Sequence, residues 1–292
     1  MIERRDFWAG LVLIVLLAGG ALMAVLLLAA ATLNEPVITE DCVAVVPIEG
    51  GIYTPRSVVE QLERYIEHRR VKAIVIRLDT PGGGVAATQE IYATVLKAKA
   101  QGKPVIASMG TVAASGGYYI ASACDTIMAN PATITGSIGV IAMFPVLAGL
   151  YDKIGIDYDV VKTGEFKDTG NTFRELTPGE REYMNELVND MFEQFLDVVS
   201  EQRGLPLDQV RILADGRVFT GRQAVGNGLV DTLGTYQDAI DLAGETAGLG
   251  KNPPVYEERP FGFWNTMVEG VRQVVRSGAE MSMPTVSYQM SY

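Results

Sequence analysis

The amino-acid sequence predicts an α/β domain built on a parallel sheet. Three observations carry this: short apolar runs alternate with helical patterns, strand, helix and strand follow in order, and glycine-rich turns close the strands. Val43 to Pro47 and Ala73 to Leu78 read as buried strands, and Val58, Leu62 and Ile66 between them fall on one face of a helix at 3.6-residue spacing. A strand that returns in the same direction across a helix makes a right-handed crossover, hence a parallel pair. The alternation continues with a helix from about Ala87 to Ala100, a strand from Val105 to Met109, a helix-like Tyr118 to Ala123, and strands near Ile127 and from Ile138 to Met143. A long helix is predicted from Pro178 towards Arg203, with Thr177 as N-cap and the proline in its favoured first-turn position. Leu207 to Leu213 and Gln237 to Ala247 read as shorter helices.

The chain has 292 residues, and no charge interrupts it between Phe7 and Leu33. That run exceeds the roughly 7–15 apolar residues of a cleaved signal and suffices for the ~20 that span a bilayer. Residues 7–33 are therefore expected to form a transmembrane anchor, with Ala29-Ala30-Ala31 leaving a removed signal as the rival reading. Arg4 and Arg5 precede the run, so residues 1–6 are expected in the cytoplasm and the remaining chain outside it, at the cell membrane. After a linker at 34–41 comes one globular domain over 42–250. Residues 251–292 are expected to hold an amphipathic helix, with Phe261, Phe263, Trp264, Met267, Val268, Val271, Val274 and Val275 as its apolar stripe, and then a disordered tail. Such a stripe is a core or subunit contact, or else a surface membrane helix. The net charge of −11 argues against nucleic acid as a partner, because the cations that neutralise phosphates are missing. Cys42 and Cys124 lie far apart in apolar contexts and read as buried small hydrophobes. No metal-ligand spacing is present, and no cofactor is implied.

Candidate chemistry centres on Ser115, framed by small residues in Ala113-Ala114-Ser115-Gly116-Gly117. A serine hydroxyl needs a base to become a nucleophile. The single histidine, His68, lies in a charged cluster at the polar end of a predicted helix, which makes a Ser-His-Asp triad unsuitable. A neutral lysine performs the same role in Ser-Lys variants. Bringing a lysine from about 10.4 to near 7 disfavours its charged form by about 4–5 kcal/mol, so the base must be enclosed. Lys167, in Gly164-Glu165-Phe166-Lys167-Asp168, is one candidate, and Lys162 is its rival. Ser115 sits where a small-residue strand gives way to a helix, a turn at which the Gly116 N–H faces the oxygen that becomes charged during attack. The loop Asp79-Thr80-Pro81-Gly82-Gly83-Gly84 follows a parallel strand, where open α/β sheets place their sites. Its glycines let backbone N–H groups approach a ligand, although a tight turn or a phosphate site has a similar look. The phosphate reading lacks both the Gly-Lys-Ser/Thr ending of a P-loop and a GxGxxG pattern.

Four motifs in order, Asp79-Thr80-Pro81-Gly82-Gly83-Gly84-Val85, Ala114-Ser115-Gly116-Gly117-Tyr118-Tyr119, Thr135-Gly136-Ser137-Ile138-Gly139-Val140 and Gly164-Glu165-Phe166-Lys167-Asp168, resemble the short, single-domain signal peptide peptidase A group of the S49 Ser-Lys peptidases. Asp215-Gly216-Arg217-Val218-Phe219-Thr220-Gly221 extends the likeness over about 42 to 247. The resemblance implies a ClpP/crotonase-like fold of repeated β-β-α units, with Ser115 as nucleophile, Lys167 as general base, Ser137 orienting the lysine, and the N–H groups of Gly83 and Gly116 as the oxyanion hole. It implies no cofactor and no metal. It further implies a ring-like homo-oligomer in which the dyad is completed between subunits, and an endopeptidase acting on apolar peptides such as remnant signal peptides. Glu165 and Asp168 are expected to point away from Lys167, since facing carboxylates oppose a neutral base. Other readings are an S49 peptidase that cleaves one membrane-protein partner, such as a stomatin-like tail, and a non-catalytic membrane scaffold of the same fold. A crotonase acting on acyl-CoA fits least, because the expected topology faces away from the cytoplasm.

Overall fold

Runs of valine, isoleucine and alanine with few polar interruptions build strands that are covered on both faces, as parallel sheets require. The computed structural model describes residues 38–258, Gly19 and the backbone of 285–289. The chain divides into Met1–Thr39 and Glu40–Tyr292, and of the first unit only Gly19, Ile38 and Thr39 are described. Apart from Gly19, the expected anchor at 7–33 lies outside the described residues, as does the apolar stripe from Phe261 to Val275; among the described residues no helix is long and apolar enough to cross a membrane.

Strand β1 (Cys42–Glu49) crosses through helix α1 (Arg56–Glu67) to β2 (Val71–Thr80). The glycine loop then forms the short strand β3 (Gly82–Gly84), which runs directly into α2 (Val85–Ala100). Next come β4 (Val105–Ala114), α3 (Gly116–Ser122), β5 (Thr126–Ala129), β6 (Ile134–Gly136), β7 (Ile141–Met143) and α4 (Ala148–Ile154). A 3₁₀ turn at Glu165–Asp168 precedes the long α5 (Pro178–Arg203). The chain continues through α6 (Leu207–Leu213), β8 (Val218–Thr220), α7 (Gly221–Gly226), β9 (Thr232–Leu233), α8 (Tyr236–Thr246), β10 (Val255–Glu257) and β11 (Thr285–Gln289).

The main sheet has the order β10-β1-β2-β4-β5-β9, and every neighbouring pair on this path is parallel. On one face Val43, Val45, Ala73, Val75 and Ile106 meet Ala239, Ile240 and Ala243 of α8. Alternation sends Val46, Ile74, Ile76 and Leu78 to the other face, and all four are buried. Pro178–Arg203 matches the predicted helix, and its start is fixed by a capping box: Glu180 N–H donates to Thr177 Oγ1 at 3.2 Å while Thr177 N–H donates to the Glu180 carboxylate at 2.8 Å.

Three differences from expectation matter for the site. Strand β4 runs on to Ala114, because Val112, Ala113 and Ala114 pair with β6 beyond the end of β5. The strand expected from Ile138 to Met143 is shorter, beginning only at Ile141 as β7, and an unexpected strand, β6, precedes it and ends at Gly136, where Ser137 turns the chain with φ +51°. Thr285–Gln289, in the tail expected to lack structure, forms β11 and joins β3 and β7 in a separate antiparallel sheet. Cys42 and Cys124 are buried free thiols, as expected, and burial pushes both thiol pKa values up.

Candidate active site

Ser115 ends β4 and caps α3 with φ +53° and ψ −114°, a backbone conformation that side chains rarely adopt and that costs about 1–3 kcal/mol. Its N–H donates to Gly136 O at 2.8 Å and its carbonyl accepts from Tyr119 N–H at 2.9 Å, so sheet and helix together hold the strain. The residue is wholly buried, and its Oγ has no hydrogen-bond partner among the described residues. The parallel register pairs Ala114 with Gly136, which sets Ser115 and Ser137 side by side at the ends of adjacent strands. Both leave their strands with positive φ. Ser137 N–H donates to Arg217 O at 2.9 Å, and Thr135 Oγ1 donates to Ala113 O at 2.6 Å, pinning β6 against β4. Ser137 also lines a cleft of about 780 Å³ with Ile138, Gly139, Phe192, Asp215 and Arg217.

The glycine loop is fixed from two directions. Thr80 Oγ1 donates to Gly50 O at 2.5 Å and accepts from Gly82 N–H at 3.1 Å, while Gly84 N–H donates to Ile52 O at 2.7 Å. A Cβ on Gly83 would stand 2.1 Å from Ile52 O, so only glycine lets the loop lie this close. A Cβ on Gly116 would meet Thr88 Oγ1 at 2.7 Å and the Gly83 amide nitrogen at 3.3 Å. The two glycines that the sequence singled out are therefore neighbours in space. Beside them β11 runs antiparallel to β3, with Tyr288 opposite Gly83, and on its other edge antiparallel to β7.

Lys167 makes no hydrogen bond to Ser115 Oγ within the chain and sits exposed on the 3₁₀ turn. Lys162 Nζ donates to Asp168 Oδ1 at 2.6 Å and to Glu165 O at 2.8 Å, so its ammonium serves to fold this loop. The Asp168 carboxylate also accepts from Arg174 at 2.9 Å, so its charge is taken up by Lys162 and Arg174. The hydrogen bonds from Lys162 and Arg174 hold the Asp168 carboxyl below its ordinary pKa. Arg174 further donates to both Glu180 oxygens, at 2.6 and 2.7 Å, and its guanidinium pulls the buried Glu180 down to about 2. This Asp168-Arg174-Glu180 bridge escaped sequence reasoning, although Thr177 three residues before Glu180 is a capping-box signal. His68 ends α1, and its Nδ1 accepts from Arg70 N–H at 3.2 Å. Thr88 was also missed, for a lone threonine in an alanine-rich helix start carries no signal of its own.

A serine buried at a strained strand-to-helix turn, its hydroxyl unpartnered and a glycine loop packed against the residue that follows it, suits acyl transfer. Known proteins point the same way. The profile of Peptidase family S49 matches residues 97–250, just over half of the chain. A candidate protease of the cyanobacterium Synechocystis is 42% identical over 212 residues, covering 72% of this chain and 76% of that protein. The chloroplastic serine protease SPPA of Arabidopsis thaliana is 37% identical over 215 residues, 71% of this chain and 32% of its own length. Protease 4 of Salmonella typhi is 33% identical over 266 residues, 87% of this chain and 43% of its own length. The chain thus spans less than half of the last two relatives. With a family profile over half its length and this identity to the Synechocystis protein, the chain belongs to peptidase family S49 and is a serine protease.

Proposed function

We propose that this protease is a membrane-anchored endopeptidase that cleaves apolar, extended peptides, remnant signal peptides among them, through Ser115 and Lys167. The observation that carries the reading is the buried, unpartnered Ser115 Oγ beside the Gly83 and Gly116 amides. Substrate would enter as a strand along β3, in the slot where β11 now runs, which sets a peptide carbonyl next to the Gly83 N–H. Neutral Lys167 takes the Ser115 proton as Oγ attacks that carbonyl, and the two amides hold the oxygen that becomes negative. Collapse breaks the C–N bond, Lys167 returns the proton to the leaving amine, and an acyl-enzyme remains. The lysine then activates water, which releases the acyl product and restores Ser115.

Because Lys167 is exposed and makes no hydrogen bond to its own Ser115, the base is assigned to a neighbouring copy in a homo-oligomer. Ser137, beside Ser115 at the strand ends and on the wall of the open cleft, is assigned to receive and orient that incoming amine. The anchor at 7–33 with a cytoplasmic N-terminus would put the reaction at the outer face of the cell membrane, where cleaved signal peptides are left.

The test is cleavage of an unfolded apolar reporter peptide by the detergent-solubilised full chain. Ser115→Ala and Lys167→Ala should each abolish turnover, whereas Lys162→Ala should retain it. Co-assembling the two inactive variants should restore about a quarter of the wild-type rate, the fraction of subunit contacts that join an intact serine to an intact lysine. No recovery would sink the shared site, and a wild type without turnover would favour the scaffold reading.

A further inference from the structure

We propose that Thr88 is a third hydrogen-bond donor to the substrate oxygen held by Gly83 and Gly116, an assignment that rests on the function proposed above. Among the described residues the buried side-chain polar atoms without a hydrogen-bond partner are Thr88 Oγ1, Ser115 Oγ and the Tyr256 hydroxyl. Two of these three flank the same glycine. The partner that Ser115 lacks is supplied by substrate and base, and the same event supplies one to Thr88.

Thr88 is wholly buried in the first turn of α2. Its neighbour on that helix, Thr94, satisfies its hydroxyl locally by donating to Glu90 O at 2.8 Å, the usual recourse of a helical threonine. Thr88 does not take that recourse. Its Oγ1 instead lies 2.7 Å from the point where a Cβ on Gly116 would stand, and the Gly83 amide nitrogen lies 3.3 Å from that same point. A valine would fill the same volume without leaving a polar atom buried and unpaired, so the hydroxyl has a chemical use rather than a packing one. The Gly83 amide nitrogen and this rotatable O–H thus lie close to Gly116, and with the Gly116 amide they would form a set suited to an oxygen that gains negative charge. Thr88 keeps its proton throughout, and Ser115 and Lys167 carry out all bond making and proton transfer.

The experiment compares Thr88→Val, Thr88→Ala and Thr88→Ser in the full chain, reading kcat and KM on the reporter peptide. A peptide aldehyde supplies a second readout, because its adduct with Ser115 places a tetrahedral oxygen in the same donors. Loss of the hydroxyl in Val and Ala should lower kcat about 10- to 100-fold with KM within about twofold, and weaken aldehyde inhibition by the same factor. Serine should stay within about threefold of wild type, and thermal midpoints should remain close throughout. If Val folds badly, the Ser and Ala pair still differ by the hydroxyl alone. Wild-type kcat in the hydroxyl-less variants, or a fall in kcat without weaker aldehyde binding, overturns the assignment. A wild type that neither cleaves the reporter nor binds the aldehyde overturns the peptidase reading itself, and this assignment with it.

Discussion

Strands β1 and β2, which underlie Ser115, bury nearly every side chain, whereas from Ile141 to Thr169, the stretch that bears Lys167, no residue is buried at all. The sheet gains its position from apolar packing on both faces. The arm is held by local polar contacts and by ring contacts such as Tyr158 stacked on Phe173 at 4.2 Å. Yet the arm is rich in apolar residues: Leu150, Ile154, Ile156, Val160 and Phe166 are exposed, and Val161 is 96% exposed. Apolar surface gathered on one segment marks a contact face. The difference shows how the two regions gain their geometry: Ser115 is held by the buried core beneath it, whereas Lys167 sits on a segment that its own chain leaves uncovered, as the proposed shared site requires.

The largest expected effect follows from placing charge on that face. Leu150→Asp combined with Val161→Asp should leave the sheet folded, with an unchanged thermal midpoint, while lowering turnover at least ~100-fold and shifting sedimentation towards the monomer. The control is Ile212→Asp on α6, which is 74% exposed but lies outside the arm and should alter neither. An oligomer that survives the double substitution with full activity would erase the contrast between the two regions.

Strand β11 belongs to neither region alone, since it pairs with β3 on one edge and β7 on the other. It fills the slot assigned to substrate, and a tethered strand competes at an effective concentration near the millimolar range. Removing residues 285–292 should therefore raise kcat/KM by about 3- to 10-fold, chiefly through KM, and a synthetic peptide of that sequence should inhibit the shortened protein. Unchanged or reduced activity would mean that the strand serves to fasten the arm.

The same contrast explains what could be read from the sequence. Periodicity exposed the helix to which Leu62 and Ile66 belong, and the N-cap and first-turn proline exposed the long helix beginning at Pro178. Ser115 was legible from the small residues that a tight strand-to-helix turn requires and the glycine loop 79–84 from its place after a strand, whereas Gly83 within that loop was singled out only by the family resemblance. Their mutual approach was not legible, since it depends on the crossover that brings β3 beside α3. Nor does sequence spacing tell that Ser115 and Ser137 share a register. In the arm, pattern reading had least to work with: exposed apolar residues follow no period imposed by a core, and helix α4 went unseen. Lys167 was one candidate base among the lysines, and motif resemblance is what singled it out.

The smallest effect concerns the polar fastening of the arm. Arg174 bridges Asp168, next to Lys167, to Glu180 in the first turn of α5. Glu180 ordinarily titrates near 4.5 and is pulled to about 2 by the Arg174 hydrogen bonds. A carboxyl with a depressed folded value contributes stability that is complete above its unfolded value and is lost as pH falls through the folded one. The bridge is thus intact at neutral pH and weakens between about pH 4.5 and 2, with Asp168 lowered in the same direction. Glu180→Gln imitates the protonated bridge at neutral pH. Amide hydrogen exchange at pH 7 should then be faster in this variant over 165–174 than in wild type, with the strands around Ser115 unchanged. Equal protection of the arm in both proteins would show that Arg174 and Glu180 do not hold it, and that the ring contacts of Tyr158 and Phe173 suffice.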